Sequence, residues 1–92
     1  MARVTLTKHL FQFFPDLEHR ELVVDATTVA EVVQGLEHMA PGIGFYICDE
    51  RGRLRRHVNI FVGEESVIDR ERLSDAVAAD AQVFVMQALS GG

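Results

Sequence analysis

Apolar and polar residues alternate at the start of the chain. Val4 and Leu6 are separated by threonines, and the sequence then becomes more apolar towards residue 11. Because side chains alternate across a β-strand, this pattern predicts a strand over residues 3–11 with one buried face. A turn is predicted at residues 14–16. The short β-branched run at residues 21–25 predicts a second strand that pairs with the first as a hairpin.

A helical period follows this hairpin. Thr28 and Glu31 have the spacing of a capping box. Apolar side chains then recur at helical spacing, at Val29, Val32, Val33, Leu36 and Met39. This predicts a helix over residues 29–39. We expect it to end at Pro41-Gly42, because proline cannot continue the hydrogen-bond ladder and glycine tolerates a chain reversal.

The second half of the chain returns to strand patterns. Residues 45–48 predict a strand, residues 50–53 a tight turn and residues 54–62 a longer returning strand. The side chains on one face of that returning strand are predicted to be core: Leu54, Val58, Ile60 and Val62. Those on the other face are predicted to point outward: Arg55, His57, Asn59 and Phe61.

The last part of the chain predicts one more strand. Residues 63–66 predict a turn, and residues 68–79 have a mixed pattern that includes a short helical turn. Residues 82–88 predict the final strand, with Val83 and Val85 facing inward.

This order of elements predicts the fold class. Two strands, one main helix and two or three further strands predict an α+β domain with a mixed sheet of four to five strands, which the β-grasp (ubiquitin-like) fold satisfies. We expect one β-grasp domain over residues 1–89, followed by a flexible tail at residues 90–92 that ends in Gly-Gly.

Composition narrows the class of protein. The chain has 92 residues, 48% of them hydrophobic, which is enough for one core without disulfides. A net charge of −5 opposes binding to nucleic acid. The single cysteine, Cys48, fits a reducing compartment, and no run approaches the roughly 18 apolar residues of a membrane span. We therefore expect a cytoplasmic protein with no membrane or nucleic-acid partner.

The tail carries the candidate chemistry. Gly91 and Gly92 lack a Cβ, so their backbone can enter a slot too narrow for side chains. A carboxylate must be activated, for example by adenylation, before it can transfer its acyl group. The chain has no phosphate-binding loop or other nucleotide motif, so a partner enzyme must supply ATP and the catalytic residues. This predicts a substrate-like carrier that is not an enzyme and that binds no cofactor itself.

Two stretches resemble a known family. Residues 58–63 and 83–92 are similar to the ThiS/MoaD family of ubiquitin-like sulfur-carrier proteins, and the similarity extends over essentially the whole domain. Residues 54–62 look most like the subgroup that serves cysteine biosynthesis.

The resemblance implies a cycle at the C-terminus. An E1-like enzyme adenylates the Gly92 carboxylate with ATP, and sulfur from a persulfide or sulfide replaces AMP to give a thiocarboxylate. Gly91 and Ser90 would be recognised as the tail enters the partner. The acceptors open to such a carrier are a cysteine-synthase-like enzyme, the molybdopterin synthase large subunit, thiazole synthase or a tRNA-thiolating enzyme. A protein modifier joined to lysines, or an interaction domain whose Gly-Gly has no role, are the alternatives.

Three apolar side chains are candidates for partner docking. Phe61, Phe84 and Met86 are predicted to lie together on the outward face of the last two strands. Because one helix covers only one face of the sheet, we interpret them as a docking patch for the activating or acceptor enzyme. The alternative is that the helix or a loop covers them.

The remaining candidates favour structural roles. Four arginines around one turn, Arg51, Arg53, Arg55 and Arg56, could contact an acidic partner or a phosphate, but a hydrated hairpin end is favoured. Cys48 lies in an apolar run without an adjacent acid or base, so a buried thiol is expected. The four histidines, His9, His19, His38 and His57, lack metal-ligand spacing, so neither catalytic residues nor a metal site are predicted.

Overall fold

The structure is a computed structural model that describes residues 1–87 of the chain. Its strands are β1 (Ala2–Leu6), β2 (Leu22–Val24), β3 (Val58–Val62), β4 (Glu65–Ser66) and β5 (Gln82–Gln87). Its α-helices are α1 (Val29–Met39) and α2 (Ile43–Ile47), and 3₁₀-helices lie at Lys8–Gln12 and Pro15–Leu17. The predicted end of the domain at residue 89 lies outside the described residues.

The five strands form one mixed sheet in the order β2-β1-β5-β3-β4. β1 and β5 are parallel, with Val4 opposite Val83, whereas the other neighbours are antiparallel. β1 and β2 pair as the predicted hairpin, with Val4 also opposite Leu22. The expectation of a mixed sheet with one main helix is confirmed.

α1 packs across one face of this sheet and occupies the predicted residues. Thr28 caps it, since its hydroxyl oxygen accepts the Glu31 backbone N–H at 3.3 Å. The Glu31 carboxylate in turn accepts the Thr27 backbone N–H at 2.7 Å. The buried side chains of helix and sheet share one core, which includes Val29, Val32, Leu36, Ile60, Val83 and Val85. The predicted inward faces of β3 and β5 are therefore confirmed.

Residues 45–48 do not form the predicted strand. Residues Ile43–Ile47 form α2, and Ile43 and Ile47 are buried one turn apart. The Glu37 carboxylate on α1 accepts the backbone N–H groups of Gly42 at 2.9 Å and Gly44 at 2.8 Å. This carboxylate satisfies amides that a helix start leaves unpaired, while Gly42 takes a left-handed φ of 104°. A cap from another helix thus turns a short apolar run into a helix.

Two predicted strands are shorter than expected. The first ends at Leu6 instead of Phe11, because the chain then curls into the 3₁₀-helix Lys8–Gln12, which buries Leu10. The returning strand begins at Val58 instead of Leu54, and Leu54 forms only an isolated bridge with Cys48. Leu54 is nevertheless buried, so its predicted place in the core is confirmed.

Two connecting segments also differ from the predictions. Residues 65–66, predicted within a turn, pair with the end of β3 as the short strand β4. Residues 68–79 contain turns and no helix. The Asp69 carboxylate organises them by accepting the backbone N–H groups of Glu71 and Arg72 at 3.2 and 3.0 Å. Side-chain acceptors satisfy these amides without a helical ladder.

Gly35 sets how closely α1 approaches β2, and this predicts a steric penalty. A Cβ at Gly35 would lie 2.8 Å from Val24 Cγ1 and 3.0 Å from Val24 Cβ. Overpacking costs about 1–3 kcal/mol, whereas alanine gains about 1 kcal/mol in helix propensity over glycine. We expect Gly35→Ala to lower the free energy of unfolding in urea by about 1 kcal/mol. Gln34→Ala on the exposed side of α1 is the control; a stabilised Gly35→Ala would contradict the close approach.

The Glu37 cap predicts a pH-dependent stability. Hydrogen bonds from the Gly42 and Gly44 amides hold the pKa of Glu37 below its ordinary value of 4.5. A lowered folded-state pKa gives stabilisation that is complete above the unfolded pKa and is lost as the pH falls through the folded one. Glu37→Gln should therefore destabilise the protein at pH 7, and the difference from wild type should be smaller at about pH 3, below the ordinary pKa of the carboxyl group. Thermal unfolding at both pH values measures this, with Glu50→Gln as control; a constant difference would contradict it.

Candidate functional site

The predicted attachment residue and its neighbours lie beyond the described part of the chain. Ser90, Gly91 and Gly92 follow the last described residue, Gln87, so their roles stay predictions. The structure does describe the strand that leads towards them. Gln87 ends β5, which lies between β1 and β3.

The end of β5 has neighbours on both sides. The Gln87 backbone N–H donates to Thr7 Oγ1 at 2.8 Å, and the Thr7 hydroxyl donates to the Val85 carbonyl at 3.2 Å. On the other side, Gln87 is the register partner of Val58 on β3. The sheet therefore fixes the position of Gln87, the last described residue before Gly92, which we call the tail root.

The three predicted docking residues are close together on the sheet. Phe61 on β3 and Phe84 on β5 are direct cross-strand partners, and Met86 lies two residues along β5, opposite Asn59. The residues between them on β5 and β3 point into the core beneath α1, so this sheet patch of Phe61, Phe84 and Met86 faces away from the helix. Both phenylalanines are half-buried, and Met86 is 45% exposed.

Basic side chains flank the tail root. Because Val58 is opposite Gln87, the residues just before β3 lie beside the end of β5. Arg56, His57 and Arg70 line a groove with Met86 and Gln87. Sequence reasoning missed Arg70. It reaches this groove from the turns at residues 68–79, and no local sequence signal marks it.

The four arginines grouped by sequence do not form one cluster. Arg53 pairs with Asp49 across the turn at residues 49–53, at 3.3 Å between Nε and the carboxylate. Arg51 is exposed in this turn. Arg55 donates from Nε to the Phe45 carbonyl at 2.6 Å, and Arg56 lines the groove at the tail root. The predicted solvent-exposed role therefore fits Arg51. Arg55 and Arg56 instead lie towards the end of β5.

Cys48 has the structural environment expected of it. Its side chain is buried, and this burial, together with the charge of Asp49, raises the pKa of the Cys48 thiol. A raised pKa disfavours the thiolate that a nucleophile requires. Within residues 1–87, no three His, Cys, Asp or Glu side chains come together as a metal site.

The carboxylates with lowered pKa values serve backbone hydrogen bonds. The pKa of Glu31 is lowered chiefly by the backbone N–H of Thr27. That of Asp69 is lowered chiefly by the Ser74 hydroxyl, followed by the Arg72 backbone N–H. Glu31 orders the start of α1 and Asp69 orders a turn. These hydrogen bonds explain the lowered pKa values without a catalytic role.

Among residues 1–87, no helix has both the length and the apolar character needed to cross a bilayer.

Comparisons with known proteins agree with this geometry. The model of the ThiS family matches residues 4–92. A comparison with curated protein sequences found no significant match. Among solved structures, a chain of the BexX/CysO complex of Amycolatopsis orientalis aligns with a TM-score of 0.84 and 22% identity, over 100% of both chains.

Two further solved structures have the same fold. CysO of Mycobacterium tuberculosis, described as an antigen, aligns with a TM-score of 0.82 and 25% identity, over 97% of this chain and 100% of that one. SAMP1 of Haloferax volcanii aligns with a TM-score of 0.72 and 21% identity, over 99% of this chain and 98% of that one.

We predict that the Thr7 hydroxyl restricts the motion of the tail root. Thr7→Val keeps the shape of the side chain but removes the acceptor for the Gln87 N–H. A net hydrogen bond contributes about 1 kcal/mol, so amide exchange at Gln87 should quicken about fivefold. Thr5→Val, at an exposed position of β1, is the control. Unchanged exchange at Gln87 would show that the Thr7 hydroxyl does not order the tail root.

Proposed function

The chain belongs to the ThiS family of ubiquitin-like sulfur carriers, and from this premise we propose that it carries sulfur as a thiocarboxylate at Gly92. The observation that carries the proposal is the tail root: β5 is held in the sheet as far as Gln87, and five residues lead from there to Gly92. A rigid domain with a short terminal extension can place a carboxylate in a partner's active site. We propose that this takes place in the cytoplasm.

The proposed chemistry needs two steps at one carboxylate. A Gly92 oxygen attacks the α-phosphorus of ATP, pyrophosphate leaves, and an acyl-adenylate forms. Hydrosulfide then displaces AMP to give the thiocarboxylate; a persulfide does the same when a thiol reduces the acyl disulfide that it forms. An E1-like partner supplies the catalytic groups, while Gly91 and Ser90 let the backbone pass through its narrow channel.

The sheet patch gives the partner enzyme an apolar surface to bind. Phe61, Phe84 and Met86 lie on the face that α1 leaves uncovered, along the strand that ends at the tail root. Contiguous exposed apolar groups commonly mark protein interfaces. We infer that the activating enzyme contacts this patch while its active site holds Gly92.

The acceptor of the sulfur is proposed to be a biosynthetic enzyme. The candidates are a cysteine-synthase-like enzyme, the molybdopterin synthase large subunit, thiazole synthase and a tRNA-thiolating enzyme. The fold similarity to CysO favours the first, in agreement with the subgroup that residues 54–62 resemble.

A protein modifier is the second candidate function. The fold similarity to SAMP1, which is named a small archaeal modifier protein, favours it. The same activated Gly92 carboxylate would then be joined to a lysine amine. Conjugates of higher mass in cells, absent when the chain ends at Ser90, would support this function.

Carrier chemistry predicts a change in intact mass. Incubation with an E1-like enzyme, ATP and sulfide should add the mass difference between one sulfur and one oxygen atom. The gain should require ATP and should be absent from a control chain that ends at Ser90. Each E1-like enzyme of the source organism is first shown to be active on its own carrier. If none of them changes the mass of this chain, the carrier function is contradicted.

If the activating enzyme binds the sheet patch, a charge placed in the patch should weaken adenylation of the carrier. Met86→Lys places a charge in the patch, and Gln82→Lys places it on the same face at the other end of β5. Loss of one apolar contact costs about 1–2 kcal/mol, so Met86→Lys should raise the KM for the carrier about tenfold, and Gln82→Lys should change it little. Equal effects of the two substitutions on adenylation would contradict docking at the patch.

A further inference from the structure

Basic side chains at the tail root have no role in the chemistry proposed for Gly92. We call Arg55, Arg56, His57 and Arg70 the basic collar. The first three directly precede β3, whose first residue is opposite Gln87, and Arg70 reaches the same place from the turns after β4. Arg55 and His57 also line the neighbouring groove that adjoins Gln87. The collar therefore flanks the root from two adjoining grooves.

Arg70 is fixed in place by neutral acceptors. Its Nη2 donates to the backbone carbonyls of Arg55 and Val58, each at 2.8 Å. Its own carbonyl accepts the Leu54 N–H at 2.8 Å. The guanidinium is half-buried and its orientation is set, yet carbonyl oxygens do not neutralise its charge. Such an oriented cation is prepared to bind an anion.

The collar's charge is not balanced by ion pairs within residues 1–87. The ion pairs found there join Arg3 to Glu21 and Arg53 to Asp49, and neither includes a collar residue. Asp49 and Glu71 share a groove with the collar, but Asp49 pairs with Arg53, and neither acid forms an ion pair with a collar residue among residues 1–87. In a chain with a net charge of −5, the collar is a local positive surface. Local charge of this kind orients an encounter even when the net charge has the opposite sign.

The length of the tail brings a partner's surface to the collar. Five residues separate Gln87 from the end of Gly92, and an extended chain spans at most about 3.3–3.6 Å per residue, or about 17 Å in all. An enzyme that binds Gly92 must therefore bring the rim of its channel close to Gln87. The collar side chains project at that rim, beside the apolar sheet patch.

We propose that the basic collar binds acidic side chains at the channel rim of the enzyme that takes in Gly92. This inference rests on the proposed carrier function and adds the chemistry of the partner's surface to it. The sheet patch forms the apolar centre of the interface, and the collar forms its polar rim. Ion pairs at the rim set the direction in which the tail enters the channel, and salt weakens them.

Two arginines in one segment allow a matched test. Arg56→Glu alters the collar, and Arg51→Glu makes the same charge change in the turn at residues 49–53. Both side chains are exposed, and within residues 1–87 neither side chain donates a hydrogen bond. At low salt, Arg56→Glu should raise the KM for the carrier in adenylation about tenfold, and Arg51→Glu less than about twofold. The difference should shrink at about 0.5 M salt. Equal effects, or no effect of Arg56→Glu, would overturn the proposal.

A peptide titration tests the collar without the enzyme. A hexaglutamate peptide added to the wild-type chain should shift the backbone amide resonances of residues 55–59, Arg70 and Gln87. Arg56→Glu should abolish these shifts, and Arg51→Glu should retain them. Phosphate at the same ionic strength should shift them less; equal or larger shifts would identify a small-anion site and overturn the proposal.

The two proposals fail in different ways. If wild type is not adenylated at Gly92, the carrier function is wrong. If wild type is adenylated but Arg56→Glu has an unchanged KM, or the peptide causes no shifts, the collar inference is wrong and the carrier function stands.

Discussion

The parallel pairing of β1 with β5 brings the start of the chain beside its end, and the other elements are arranged around it. Residues 3–6 lie along residues 82–85, so β5 has a strand on each side and its inward side chains, Val83 and Val85, are completely buried. Parallel neighbours require a crossover connection, which here includes α1 and covers one face of the sheet. This long-range pairing also fixes the tail root, since a central strand cannot shift without moving both neighbours.

A single helix layer divides the sheet into two faces with different uses. Beneath α1, the close approach of Gly35 to Val24 and the buried apolar residues supply the stability of the domain. The opposite face lies away from α1 and displays Phe61, Phe84 and Met86. The domain thus presents its apolar surface next to the segment that its partners must recognise, while the residues that stabilise the fold lie on the other side.

The acidic and basic side chains of the domain also have different uses. Several carboxylates, including those of Glu31, Glu37 and Asp69, accept backbone N–H groups and so order a helix start or a turn. Their negative charge therefore has a structural use within the domain. Arg70 is also held by backbone groups, but by carbonyl oxygens, which orient the guanidinium and leave its charge available. The distribution of acceptors, more than the net charge, determines which part of the surface is positive.

The sequence by itself determined the features whose signals are local. The cap and the helical period determined the bounds of α1, and strict alternation determined the inward faces of β3 and β5. The residues along the last two strands and the tail indicated the family. The tertiary structure decided whatever depends on distant partners. Residues 45–47 became helical because the Glu37 carboxylate caps α2, and β1 is short because the chain turns into the 3₁₀-helix that buries Leu10. Arg70 joined the tail root through carbonyl groups far from it in sequence. Short apolar runs and isolated charges fit several local conformations, so only the packing around them selects one.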